Sequence, residues 1–191
     1  SREGTHQGDP LGCFYLSLPL QEVLLDIHRA HPTVVISAYI DDVILVGTRE
    51  EVARAYRDVV DQMARRLGLE SQARKCAVYA PADGEGAADL ASLFPPDMVG
   101  VRERLEGVEI LGVPVGPDDF VRGAVVQRVQ QLNRVIPSLA HIRDPQVQYL
   151  LLRCCANARI SYLLRGVVPR LMAPAAEAHD AAVWAGLHAL L

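Results

Sequence analysis

Apolar positions change their period along this chain, and the changes mark its elements. After Asp9-Pro10, an N-cap acid followed by proline at the first helical position, Leu16, Leu20, Val23, Leu24 and Ile27 recur at helical spacing. They predict a core-facing helix, with Pro19 as a point of restart or kink and Pro32 beyond its end. From Val34 to Gly47 two runs rich in β-branched residues flank Asp41-Asp42 and predict a β-hairpin with the acids at its turn. Thr48-x-x-Glu51 then reads as a capping box. Val52, Tyr56, Val59, Val60, Met63, Ala64 and Leu67 form one stripe, with the arginines mostly off it as a solvated face, and Gly68 is a C-terminal stop.

The segment from Gly68 to Tyr79 leads into a further strand. Residues 80–96 are rich in Ala, Gly, Asp and Pro and read as a surface insertion. Val108 to Gly116 reads as a second hairpin, bent at Gly112 and Pro114, and Asp118-Asp119 as a solvated turn. From Val121 the period is helical again through Val125, Val129, Leu132, Val135 and Ile136. Val147, Leu150, Leu151, Cys154 and Cys155 open another helix, and an Ala-rich helix closes the chain near Ala173 to Leu191. Arg153, Arg159, Arg165 and Arg170 read by default as solvated or salt-bridged.

Half of the 191 residues are hydrophobic, enough for a substantial core. A net charge of −4 argues against a free-standing nucleic-acid binder, which is usually basic. Cys13, Cys76, Cys154 and Cys155 match neither a zinc site nor a redox pair, and read as reduced, buried thiols of an intracellular protein. No secretory signal is seen, and Arg153 and Arg159 break the most apolar late stretch, so no membrane span is expected. The chain begins at Ser1 and reads as a piece of a longer protein.

The candidate chemistry is Asp41-Asp42. A two-residue hairpin loop favours Asn-Gly or Asp-Gly, so two acids are a poor conformational choice there. Adjacent carboxylates repel, and a divalent cation relieves the repulsion; Mg²⁺ takes one or two carboxylates plus substrate phosphates. A plain polar turn between core strands is the competing reading. Tyr39-Ile40-Asp41-Asp42 resembles the Tyr/Phe-x-Asp-Asp box of reverse transcriptases, and Gln7-Gly8-Asp9-Pro10-Leu11 is similar to the Gln-Gly-x-Pro-Leu box that precedes it in that family. Gly68-Leu69 with Lys75 resembles the family's Gly-Leu…Asn-x-x-Lys segment, with Gln72 in place of Asn. Leu111-Gly112 and Gly116 resemble the Leu-Gly-x-x-x-Gly segment of non-LTR enzymes. Gly12-Cys13 departs from the family's usual Ser-Pro.

The resemblance implies an α+β fold: a partial polymerase palm, an antiparallel sheet with helices on one face, over residues 1–116 with an insertion at about 80–102. A helical thumb-like or connection-like region follows over 117–191. It implies two-metal nucleotidyl transfer in a longer parent, with RNA template, DNA primer and deoxynucleoside triphosphate as partners and Mg²⁺, or Mn²⁺, as cofactor. Asp41 and Asp42 would be metal ligands and catalytic residues, and Lys75 a proton donor to pyrophosphate. Gln7, Gly8 and Tyr39 would face nucleotide and template, and Leu111 and Gly112 the primer terminus. The family's other metal-binding Asp lies upstream of the Gln-Gly box, so this piece alone is expected to have little or no polymerase activity. The expected location is nuclear or cytoplasmic, not secreted. A non-catalytic palm relic serving as a binding module, and an unrelated α/β domain, are the alternatives.

Overall fold

A computed structural model of the chain describes residues 8–81, 90–101 and 105–190. It contains two compact units. One comprises the described residues up to Ala80 and residues 90–101; the other comprises residues from Leu105 onward together with Pro81.

The first unit opens with helix α1 (Gly12–Ala30), which runs through Pro19 without a break. It starts later than the Asp9-Pro10 signal predicts because those residues close a turn of their own. Gly12 N donates to Asp9 O at 3.0 Å, and Leu11 N donates to the Asp9 carboxylate at 2.9 Å. Strands β1 (Val35–Tyr39) and β2 (Asp42–Val46) pair antiparallel as the predicted hairpin. Helix α2 (Arg49–Gln62) follows, extended by a π turn over Met63–Leu67. Thr48 is its N-cap, as expected, but the capping box is rewired. The Glu51 carboxylate accepts from the hydroxyls of Thr48 and Thr33, each at 2.7 Å. Gly68 ends the helix in the left-handed region, at φ 64°, where glycine carries no Cβ penalty.

Val23 and Ile27 of α1, Val34, and Ala55 and Val59 of α2 form one buried cluster. The cross-strand partners Ile36 and Leu45 pack on it, so α1 and α2 both cover the same face of the hairpin. Salt bridges of 2.7 Å from Arg66 to Asp26 and from His31 to Asp58 join the two helices at the surface. The part of 80–96 expected to be a surface insertion contributes to the core instead. Leu90 and Phe94 are buried with Met98, Val101 and Ala53, and Tyr56 packs on them. The sequence pattern hid this because only four of these residues form a helix, α3 (Leu90–Leu93). The strand expected near Tyr79 is reduced to an isolated parallel bridge between Ala77 and Val99.

The second unit begins with strands β3 (Val108–Ile110) and β4 (Val113–Val115), the second predicted hairpin. Helices α4 (Asp118–Asn133), α5 (Val135–Ser138), α6 (Pro145–Leu151), α7 (Ser161–Gly166) and α8 (Pro169–His188) follow. A π turn (Leu152–Ala156) and a 3₁₀ turn (Asn157–Ile160) make α6 to α7 one continuous helical run. Its buried stripe is Gln148, Leu152, Ala156, Ile160, Leu163 and Val167. This corrects the stripe expected from sequence, since Val147, Leu150, Cys154 and Cys155 face outward. The wide π turn favours spacings of four, and the apolar residues alone do not reveal that shift. Cys13, Cys154 and Cys155 are exposed and Cys76 is half-buried, all as free thiols, which overturns the expectation of buried cysteines. Cys13 sits on the outer side of α1, and the other two ride the shifted run.

Asp118 and Asp119 belong to the first turn of α4, not to a solvated loop. Asp118 accepts both terminal nitrogens of Arg170, one of them at 2.9 Å, and so joins the starts of α4 and α8. The Arg170 hydrogen bond, followed by its charge, holds the Asp118 carboxyl below the usual range. Arg66 does the same for Asp26, and the Thr33 hydroxyl leads the lowering at Glu51. A depressed folded-state value means the ionised form is favoured by folding. The contribution is complete above the ordinary carboxyl range of about 4 and is lost as pH falls through the lower folded values. The urea midpoint should therefore fall as pH drops below about 4, and Asp118→Asn should flatten that dependence. An unchanged profile in this variant would show that the Arg170 pair is idle.

His179 of α8 is buried and donates from Nδ1 to Asn133 Oδ1 at 2.6 Å. Its Nε2 has no partner among the described residues. No described helix is long and apolar enough to cross a membrane.

Candidate catalytic hairpin

The hairpin register fixes what the acids can reach. Tyr39 pairs with Asp42, leaving Ile40 and Asp41 as the two-residue loop. The turn thus sits one residue earlier than the sequence pattern placed it. Its left-handed position falls on Ile40, at φ 57°. A β-branched residue in that region is a true outlier, and the strain is of order 1–2 kcal/mol. The inner face of the ribbon, Val34, Ile36 and Leu45, seats on the helices. Residues alternate across a strand, so Val35, Ser37 and Tyr39 share the outer face with Asp42, Ile44 and Val46.

Asp42 and Tyr39 are therefore cross-strand neighbours on the open face, and Asp41 stands at the tip beside them. Tyr39, Asp41 and Asp42 are all exposed. Neither carboxylate has a hydrogen-bond or ion-pair partner among the described residues, where most acids on the adjoining helices are paired. Two hard oxygen donors, uncommitted and adjacent, suit a divalent cation that completes its shell with water or phosphate. No group of three or more His, Cys, Asp or Glu side chains converges as a metal cage among the described residues.

The other expected site residues are placed as follows. Gln7 lies outside the described residues. Gly8 is exposed at φ 96° with open space where a Cβ would stand, so its backbone is accessible to a ligand. Lys75 ends the 3₁₀ turn Ala73–Lys75, exposed, with its backbone N donating to Gln72 O at 2.8 Å. Its ammonium has no ion-pair partner among the described residues. Leu111 and Gly112, both at positive φ, form the turn between β3 and β4, with Leu111 exposed. That hairpin belongs to the second unit, where the Tyr162 ring lies 3.6 Å from the position of a Cβ on Gly112. Nothing in the sequence pairs Tyr162 with that turn, because they are far apart in the chain and helix register alone does not aim a ring.

A Tyr-x-Asp-Asp sequence on a two-residue antiparallel hairpin, backed by two helices and open on the other face, is compatible with part of a polymerase palm. Residues 1–115 match the family model described as reverse transcriptase (RNA-dependent DNA polymerase), and the chain belongs to that family. No curated protein and no solved structure gives a significant match. The family uses nucleic-acid template and primer with nucleotide substrates, and generally divalent metal ions. The α+β expectation of a partial palm followed by helices is met.

Proposed function

We propose that this chain carries the catalytic hairpin of a non-LTR retroelement reverse transcriptase, an intracellular enzyme that copies an RNA template from a DNA primer. The observation that carries the reading is the pair of exposed carboxylates, without a partner among the described residues, at the tip of a Tyr-Ile-Asp-Asp hairpin within the family-matched residues. Residues 1–116 are then palm-like and residues 117–191 thumb-like or connection-like.

In the whole enzyme the primer 3′-oxygen bonds to the α-phosphorus of a nucleotide, and the bond to pyrophosphate breaks. Asp41 is the principal ligand for Mg²⁺ and Asp42 its neighbour. Bound there, the ion supplies charge stabilisation to the phosphate oxygens. Ile40, at positive φ, sets the backbone of the tip from which Asp41 projects. Tyr39 shields one side of Asp42 and presents its ring to the primer. Lys75 supplies a proton to the departing pyrophosphate. Gln7 and the bare backbone of Gly8 meet nucleotide and template, and the Leu111-Gly112 turn meets the primer terminus.

Titration with Mn²⁺, followed by the loss of its electron-paramagnetic signal, tests the metal assignment. Asp41→Asn should weaken binding on the order of tenfold or more, because a charged oxygen ligand is lost. Circular dichroism should remain that of the parent chain, since Asp41 is exposed and has no partner among the described residues. Equal Mn²⁺ affinity in the two proteins would remove the catalytic reading and leave a palm-like module serving a structural or binding role.

A further inference from the structure

The α6–α7 run carries two adjacent thiols that the proposed function leaves unused. Cys154 and Cys155 are both exposed and free, and both lie in the π turn Leu152–Ala156. Leu152 and Ala156, at the two ends of that turn, are buried, so the cysteines occupy the outward arc between them. In an α-helix successive side chains diverge by about 100°. A turn closed by i→i+5 bonds holds more residues per circuit, so its neighbours diverge less. The π turn therefore sets the two thiols closer together than an α-helical register would, and turns both to solvent.

The backbone limits what the pair can do. Consecutive Cα atoms across a trans peptide are about 3.8 Å apart, below the about 4.4 Å at which disulfide bridges ordinarily begin. Within the helical run the pair therefore stays a dithiol instead of closing on itself. No third His, Cys, Asp or Glu converges with it among the described residues. A structural Zn²⁺ centre takes four protein ligands, twice what the pair offers. Hard ions such as Mg²⁺ and Ca²⁺ require oxygen, and residues 145–176 contain no Asp or Glu. Soft sulfur ligands select monovalent copper, which is satisfied by two of them in line. The charges also match. Two thiolates around one monovalent cation leave a single negative charge. Arg153 precedes the pair and Arg159 lies one turn beyond it, both exposed and without a carboxylate partner among the described residues.

We propose that Cys154 and Cys155 form a two-coordinate binding site for copper(I). Binding is a ligand exchange with no change of oxidation state. Two S–H bonds give their protons to the solvent, two Cu–S bonds form, and the ligands that carried the ion in leave. The guanidinium groups of Arg153 and Arg159 offset the negative charge of the complex. The site lies beyond the family-matched residues and does not depend on the function proposed for Asp41 and Asp42.

The test is an anaerobic titration of the reduced full chain with copper(I) presented as its bathocuproine disulfonate complex, whose colour fades as the protein takes the ion. One copper per chain is expected, with two sulfur neighbours by X-ray absorption and no change of oligomeric state by light scattering. Cys154→Ser and Cys155→Ser should each weaken binding by more than the about 10–100-fold that losing an outer-shell partner costs, because a direct ligand is lost. Both variants should keep the circular dichroism of the parent, since the two side chains are exposed. Cys13→Ser with Cys76→Ser should bind as the parent does. So should Asp41→Asn, which keeps failure of this site distinct from failure of the Mn²⁺ assignment. Parent-like affinity in either single serine variant, displacement of the copper by an equal concentration of Zn²⁺, or one copper shared between two chains would each overturn the proposal.

Discussion

Ile27→Ala should destabilise the first unit by about 2–5 kcal/mol, the range for deleting a large buried aliphatic side chain. Ile27 has no exposed surface and lies in the cluster that receives Ile36 and Leu45. The loss therefore combines the transfer of its methyl and methylene groups with a void beneath the hairpin, which two helices hold open. Val35→Ala should cost no more than about 0.5 kcal/mol, the usual size for a surface change, because Val35 is on the open face and 64% exposed. Urea unfolding of both variants measures the contrast. A loss below about 1 kcal/mol at Ile27, or a Val35 cost of equal size, would mean that the hairpin is not seated on one face as described. The contrast bears on function because the position of Asp41 depends on that seat.

Leu163→Ala should cost a similar 2–5 kcal/mol, confined to the second unit. Leu163 is fully buried among Val121, Val125, Val129, Leu171 and Met172. It also borders a hollow of about 220 Å³ with Gly112, Pro114 and Phe120. Truncation enlarges a space already present, so relaxation can recover little of the lost contact. Hydrogen exchange should report weakened protection in β3, β4 and α7, while α1 and α2 keep theirs. Equal loss in both units would contradict their division.

Much of the first unit is legible in the sequence because local signals agree with tertiary demands. The Thr48 cap and Gly68 stop of α2 coincide with the observed helix, whose buried positions are Val59 of the expected stripe together with Ala53 and Ala55 outside it, while Ala64 is exposed. The Val34–Gly47 runs form the hairpin that their composition indicates. The turn is displaced by one residue because pairing Tyr39 with Asp42 keeps Ile36 and Leu45 inward, and burying them outweighs the strain placed on Ile40. Local preference cannot report such a balance. The α6–α7 run fails for a related reason. Its π turn carries the buried spacing of four on to Ala156, and Gln148, whose amide donates to Ile142 O, is buried ahead of it; hydrophobic patterning selects neither. Leu90, Phe94, Met98 and Val101 do recur at spacings of four and three, but Pro95-Pro96 follow at once and the helix stops at Leu93, so tertiary fit, not helical continuation, brings the later two to the core. His179 gives no sequence signal, since its partner Asn133 is forty-six positions away.

Composition and family resemblance mark Asp41 and Asp42, and the fold adds their lack of a partner among the described residues and the face on which each stands. Tyr162 has no counterpart signal in the sequence. Its relation to Gly112 depends on the β3–β4 hairpin folding back onto a helix fifty residues later, a contact without any periodic trace.

The β1–β2 ribbon has a cost outside catalysis. Among the described residues its sheet has only two strands, so each strand leaves a row of backbone amides and carbonyls unmatched, beside the uncovered side chains of Val35, Tyr39 and Val46. Such an edge is a template for another extended chain. Concentrated solutions should therefore tend toward strand-by-strand self-association, and a lysine placed at Val46 is the simplest gatekeeper against it.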